Sequence, residues 1–328
     1  MESIQLFLEK VKVGGKQSHL NMALFPLLAP DAGEPDYFTL EEALNQAFAE
    51  VTEVSQGGSV PDLKLINKSP NKLLVVDGEE LAGAKQNRIV NATFLIAGLS
   101  EITIPVICVE QGRWAYRSHN FASGKKVMSA ILRFKNQREV AVNLKEGIGY
   151  RSNQGMIWGE LALKAERMKA YSPTGAMADL FEGQKDRLGE YRKAFRLVDC
   201  QVGAVFALNG KVVGLECFGY QQTFAKFFPK LIQIYTLDAL DWLEELGKTQ
   251  VSSEPVGRFL EGAKRLLANP TPPWGWGKTF DSRILLSPGP PWCMTEEFYT
   301  CQLSVIMAKR VTEGGFLSSV FLKEKRRG

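Results

Sequence analysis

Histidine is almost missing from this chain: only His19 and His119 occur in 328 residues. Zinc hydrolases draw on several imidazoles or on closely spaced cysteines. The five cysteines are odd in number and form no Cys-x-x-Cys pair. A disulfide framework and a structural zinc site are therefore set aside, and a reducing compartment is expected. Long apolar runs are missing too, and no window reaches the roughly 20 residues that cross a bilayer. Met1-Glu2-Ser3 carries no basic stretch ahead of an apolar one, so no secretory leader is read there and the cytoplasm is the expected location. Charge of one sign is scarce: the net value is +4, and the one clear basic cluster, Lys323, Lys325, Arg326 and Arg327, reads as a solvated terminus. Nucleic-acid binding calls for a concentrated basic face, and a membrane or nucleic-acid partner is not expected. Gly-x-Gly-x-x-Gly is absent. Trp274-Gly275-Trp276-Gly277-Lys278-Thr279 lacks the upstream glycine and the leading strand of a phosphate loop.

What is present is a chain 45% hydrophobic, enough to bury a substantial core. Residues 20–27, 63–66 and 73–76 read as strands, and Thr39 reads as the cap of a helix beginning Leu40-Glu41-Glu42-Ala43. Helical spacing recurs over 154–169 (Ile157, Leu161, Ala165, Met168), over 186–195 and from Pro229 through Leu231, Ile234, Leu237, Leu240 and Leu243. Ser253 predicts a further helix cap, 269–277 a proline-rich rigid loop, and 284–286 and 302–308 late strands. Helices and antiparallel hairpins are interspersed without regular strand–helix alternation. The expected fold is α+β, with antiparallel or mixed sheet built from hairpins, and not a doubly wound nucleotide-binding fold. One large unit over 1–328 is expected, with a hairpin-rich part over 1–150 and a helix-rich part over 151–328.

Two hairpins carry positional information. Strands over 88–96 and 102–110 alternate so that Arg88, Val90, Ala92, Phe94 and Ile96 share a face with Ile102, Ile104, Val106, Cys108 and Glu110. Pairing Ile96 with Ile102 places Arg88 opposite Glu110, where two charges ending an apolar face would form an ion pair. The second hairpin turns at Asn209-Gly210, a dipeptide suited to two positive φ angles. Its register places Glu216 across from Gly203, and the space beside that carboxylate suits either a ligand or plain steric relief on an exposed face.

Polar chemistry is densest over 77–88 and 110–114. Asp77, Glu79, Glu80, Lys85, Gln86, Asn87 and Arg88 lie among Gly78 and Gly83, between one apolar strand and the next. Three polar groups in a row entering a buried strand must find partners. Asp77, Glu79 or Glu80 could act as general base or hold a hard cation such as Mg²⁺. Lys85 and Arg88 could hold a phosphate, Gln86 and Asn87 could read ribose or amide groups, Glu110 could orient Arg88, and Trp114 could stack on a base beside Arg113. Gln201 and Glu216 of the second hairpin complete the candidate set. The same residues also fit a non-catalytic ligand sensor, or a closed ion network that pins the fold.

The runs Asp77-Gly78-Glu79-Glu80-Leu81, Gly83-Ala84-Lys85-Gln86-Asn87-Arg88, Ile104-Pro105-Val106, Cys108-Val109-Glu110 and Gly112-Arg113-Trp114, with Asn91, resemble the ADP-ribosylglycohydrolase and rhodanese/phosphatase-superfamily-associated protein family. Further matches are Thr39-Leu40-Glu41-Glu42-Ala43, Glu53, Val60-Pro61, Leu63, Asn67, Gln154, Trp158, Ser172, Gln201-Val202-Gly203 and Asn209-Gly210, so the resemblance spans roughly 20–240. It implies a domain found in the genomic company of enzymes that remove ADP-ribose. By that association it implies a role near NAD or ADP-ribose metabolism. Together with the reading of Lys85 and Arg88, the expected ligand is a small phosphorylated nucleoside, and an enzyme here would be of hydrolase type on a nucleotide or ADP-ribose derivative. It supplies no catalytic residues.

Overall fold

Thr39 stops a strand and starts a helix in one residue. Its hydroxyl accepts the Glu42 amide while the Glu42 carboxylate accepts the Thr39 amide, a closed capping box. A computed structural model of the protein describes residues 7, 9–246, 256, 257, 260, 261, 298–306 and 318–325. In chain order its elements are β1 (Lys12–Val13), β2 (Gln17–His19), β3 (Met22–Leu28), β4 (Tyr37–Thr39), α1 (Leu40–Asn45), β5 (Ala49–Glu53), β6 (Asp62–Asn67), β7 (Lys72–Val75) and β8 (Glu79–Gly83). There follow β9 (Arg88–Val90), β10 (Phe94–Ile96), β11 (Ser100–Cys108), β12 (Phe121–Val127), α2 (Ala130–Lys145), α3 (Gln154–Arg167), α4 (Met177–Gly183) and α5 (Lys185–Ala194). The last are β13 (Gln201–Leu208), β14 (Lys211–Phe218), α6 (Gln221–Leu246), β15 (Phe298–Ile306) and β16 (Ser318–Lys325). The fold is α+β with antiparallel and mixed sheets. Two compact units form, one from Pro35–Glu190 with Lys230–Asp241, the other from Met1–Glu34, Tyr191–Pro229 and Trp242–Gly328.

The first of these units holds a six-stranded antiparallel sheet in the order β12-β8-β9-β11-β6-β5. An antiparallel bridge joins Thr52 to Asn120, so the β5 edge curls back to the approach of β12 and the sheet rolls toward a barrel. Directly paired residues share a face. Ala49, Val51, Leu63, Leu65, Leu81, Val90, Ile104, Val106 and Phe121 consequently pack together as one buried cluster. Side chains fill the interior of a barrel this narrow. A second, three-stranded sheet, β10-β7-β4, lies in the same unit. Three ion pairs between α3 and the buried aspartates of α6 belong here also: Lys164 reaches Asp238 at 2.7 Å and Asp241 at 2.9 Å, and Arg167 reaches Asp241 at 2.7 Å.

The other unit carries the sheet β1-β3-β13-β14-β15-β16, with β2 on β3. Asn209 and Gly210 turn between β13 and β14 with φ of 45° and 81°, as the dipeptide predicts. A bulge between the pairs Phe206/Gly214 and Ala207/Val212 then shifts the ladder by one residue. Glu216 faces Ala204, not Gly203, so the space expected beside it from Gly203 does not arise. A Cβ on Gly203 would instead meet the Glu216 carbonyl oxygen at 2.5 Å, and this close strand approach is what the glycine serves.

Four further expectations change. The strand over 88–96 is interrupted at residues 91–93, and its halves join different sheets, β9 on β11 and β10 on β7. Arg88 pairs with Cys108, two residues from the expected Glu110, which keeps the face but not the partner. Pro229 lies inside α6 and does not open it. The helix continues across the missing amide because Phe224, Phe227, Leu231 and Ile232 around it are buried. Lys323 and Lys325, expected in a solvated tail, fall in β16, and the strand expected over 302–308 is β15. The Ser253 cap, the proline-rich loop and the 284–286 strand lie outside the described residues. Positions 256, 257, 260 and 261, in the helix expected after Ser253, are helical.

Candidate functional site

Two charged residues end the apolar interior of the rolled sheet. Arg88 continues the face of Val90 and Leu81, and Glu53 continues the face of Val51 and Leu63. Arg88 is fully buried and Glu53 is 9% exposed. The Arg88 Nη1 donates to Gln86 Oε1 at 2.9 Å, while its Nε and Nη2 have no hydrogen-bond partner. Both Glu53 carboxylate oxygens are likewise unpartnered. Burial lowers the Arg88 pKa from its ordinary value; Cys108 and Glu53 oppose that fall and Arg113 adds to it. A buried polar atom left unpaired costs about 1–3 kcal/mol, and more when charged. Two such residues at one mouth are therefore an expensive arrangement.

Two loops carry the rest. Between β8 and β9, Lys85 is buried and donates to the Gly57 carbonyl at 2.6 Å. The loop of Gly57 and Gly58 joins β5 to β6, and the Glu53 Oε2 and Lys85 Nζ stand 3.3 and 3.5 Å from one point, the place a Cβ on Gly58 would take. Gly58 has φ of +76°, so a side chain there would be strained as well as crowded. The Lys85 ammonium stands over two rings, 5.1 Å from the Trp114 centroid and 5.2 Å from Tyr116, and the Arg88 guanidinium lies 5.6 Å from Trp114. Trp114 and Tyr116 are each about half exposed, at 49% and 51%.

Arg113 fastens this mouth. Its guanidinium donates to the carbonyls of Ala84, Ala115 and Gly83, to Asn87 Oδ1 and, at 2.6 Å, to Glu110 Oε2. Glu110 is the partner of Arg113 and also accepts from the Asn87 amide and the Thr174 hydroxyl. The expected Arg88–Glu110 ion pair is replaced by a relay in which Gln86 takes Arg88 on its oxygen and gives its amide to the Glu110 carbonyl. Burial pushes the Glu110 carboxyl up, and Arg113 with the other donors outweighs it, so Glu110 titrates below its ordinary value.

The three carboxylates of the acidic turn part company. Asp77 accepts from Thr93 and Gln137, with Arg133 nearby at 3.7 Å. Glu79 accepts the Val76 amide and the Lys230 ammonium. Glu80 pairs with Ile89 and so faces away from Arg88, because neighbours on a strand alternate. There it accepts from Asn87 Nδ2 on one oxygen and has no partner on the other. Burial raises the Glu80 pKa to about 7 against the pull of Lys126 and Asn87. Among the described residues no three His, Cys, Asp or Glu side chains gather as metal ligands.

Of the expected site residues, Lys85, Gln86, Asn87, Arg88, Glu110, Arg113 and Trp114 come together, Glu80 joins them through Asn87, and Asp77 and Glu79 close on other partners. Gln201 and Glu216 belong to the other unit. Gln201 accepts the Val198 amide and donates to the Gly203 carbonyl, which closes its side chain locally. Glu53 and Tyr116 at the mouth, and Thr174 behind it, were not expected as site residues from the sequence. The signals for Glu53 were its place among the residues of the family resemblance and its position ending the inward-facing set of the alternating strand Ala49–Glu53.

A family model matches residues 10–283, across the sheet, the mouth and most of the second unit. The chain belongs to the ARG and Rhodanese-Phosphatase-superfamily-associated Protein domain family, ARPP-1. No curated protein and no solved structure matches it significantly. The mouth of this ARPP-1 domain is thus characterised by its own chemistry: two cations sharing an indole, a buried unpartnered carboxylate, and two half-exposed rings. Among the described residues, no helix is long and apolar enough to cross a membrane.

Proposed function

We propose that the ARPP-1 domain binds a small phosphorylated nucleoside, of the ADP-ribose or NAD-linked kind, at the mouth of its rolled sheet. The observation that carries this reading is Arg88. It is a fully buried guanidinium with two unpartnered nitrogens, and it shares the Trp114 ring with the Lys85 ammonium, which donates to the Gly57 carbonyl and forms no ion pair among the described residues. Cations held this way favour an anion that can accept from both, and phosphate oxygens match the fork of an arginine. Trp114 and Tyr116 offer exposed ring surface on which a base can rest. Mouths of β-barrels are common places for such ligands.

Binding, rather than turnover, is the function this geometry favours. Asp77, Glu79 and Glu110, three of the four carboxylates expected from the sequence as base or acid, are each taken up by donors of the fold. Glu80 titrates near neutrality, but on the opposite face of its strand from Leu81 and Arg88. A ligand-sensing module fits this division better than a hydrolase.

Thermal-shift and calorimetric titrations with ADP-ribose, ADP and adenosine test the reading. A ligand that binds only the folded state raises its midpoint. ADP-ribose and ADP should raise it and adenosine should not, and Arg88→Met should weaken ADP-ribose at least tenfold. No shift with either phosphorylated compound at saturating concentration overturns the proposal.

A further inference from the structure

Glu53 carries the inference furthest. It is more than nine-tenths buried, both its oxygens lack donors, and it stands at the same mouth as Lys85 and Arg88. Neither cation makes an ion pair with it, although Lys85 Nζ and Glu53 Oε2 flank the same point above Gly58. A carboxylate in this position needs two donors from whatever occupies the mouth. A cationic donor is disfavoured, because Lys85 and Arg88 already place two positive charges there and burial weakens screening. A second anionic group is disfavoured by Glu53 itself. Neutral donors in a pair remain, and adjacent hydroxyls on one ring supply them, one to each oxygen.

Resting on the reading of the mouth as a phosphorylated-nucleoside site, we infer that Glu53 is its specificity residue and selects a ligand with a free vicinal cis-diol, the 2′,3′-diol of a ribonucleotide. The ligand then lies with its phosphate on Lys85 and Arg88, its ribose hydroxyls on Glu53, and its base on the exposed rings of Trp114 and Tyr116. A carboxylate accepting from ribose hydroxyls discriminates strongly, because a deoxy ligand leaves buried oxygens unpaired where they began. The Gly57 and Gly58 loop is the wall nearest that ribose, and a Cβ at Gly58 would crowd the Glu53 oxygen.

The experiment is a calorimetric comparison of ADP, 2′-deoxy-ADP and 3′-deoxy-ADP on the full chain and on Glu53→Gln. The expected result is a loss of tenfold or more in affinity for each deoxy compound on the parent. On Glu53→Gln, which keeps the shape but one acceptor only, ADP should fall to the level of the deoxy compounds and the preference should disappear. Equal affinity of the parent for all three overturns the role of Glu53 while leaving the phosphate reading intact. Binding of none of them overturns the site reading and this inference with it. If Glu53→Gln does not fold, the three titrations on the parent alone decide the matter.

Discussion

Replacing Glu80 by glutamine should stabilise the protein at alkaline pH and leave it unchanged in acid. Glu80 is 2% exposed, with one oxygen on Asn87 Nδ2 and the other unpartnered. Burial raises its pKa from 4.5 to about 7, with Lys126 and Asn87 acting in the opposite sense and Glu110 and Asp179 adding to the rise. Below pH 4.5 the carboxyl is protonated whether the chain is folded or unfolded, and Glu80 contributes no pH dependence. Between there and about pH 7 the unfolded chain has released the proton while the folded chain keeps it, so stability falls as pH rises. Above about pH 7 both forms are ionised and the penalty is complete. The rise from 4.5 to about 7 corresponds to about 3 kcal/mol at about 1.4 kcal/mol per pKa step. Glutamine is close in shape to the protonated acid and keeps an oxygen for Asn87 without the charge. Urea unfolding of Glu80→Gln and the parent, compared from pH 5 to pH 8, should therefore give curves that converge in acid and diverge by up to about 3 kcal/mol in favour of the variant at pH 8. Titrations common to both proteins cancel in the difference. A carboxylic-acid C=O band in the infrared, present at pH 5, lost toward pH 8 and absent from the variant, would assign the proton to Glu80. A difference that is flat with pH, or that favours the parent at pH 8, refutes the reasoning.

Two more outcomes follow from packing and charge. Gly203→Ala sets a Cβ 2.5 Å from the Glu216 carbonyl oxygen and 3.0 Å from Cys217 Cα. Backbone on the partner strand cannot step aside, so a loss of about 1–3 kcal/mol is expected in denaturant unfolding, and an unchanged midpoint would contradict the strand contact. Lys164→Met removes the cation paired with Asp238, which is wholly buried and keeps the Ile131 amide, and one of the two cations on Asp241. A buried carboxylate stripped of its cation this way costs about 3–5 kcal/mol, read as a lower thermal midpoint, and the further double change with Asp238→Leu should recover much of it.

Local signals are legible in the sequence, and distant ones are not. The Asn209-Gly210 turn, the Thr39 cap and the α3 pattern were legible because each depends on residues within one turn or one ladder step. Pro229 was misplaced because the apolar pattern on both sides of it outweighs the lost amide only once tertiary burial is known. The Glu216 register failed at a bulge that the flat alternation of β14 does not announce. The Arg88 partner failed for a related reason: the strand breaks at residues 91–93 to serve two sheets, and the ladder that remains is offset by two. At the site, the crowded polar run over 77–88 supplies Lys85, Gln86, Asn87 and Arg88 to the mouth, but the β8–β9 register, which the run itself does not announce, pairs Arg88 with Leu81 and so turns Glu80 to the other face. Glu53 was hidden because the Thr52–Asn120 bridge that brings its strand to the mouth joins segments far apart in the chain.

One guanidinium holds three carbonyls from the two segments that bring Lys85 and Trp114 to the mouth. Those segments are stitched by the fold itself, so on the proposed reading a guest would meet a socket whose walls have already surrendered their freedom. Whatever settles there gives up little entropy to arrange its host, so even a compound with few contacts can be held, and a cut at Arg113 would loosen the grip without touching a single group that grips.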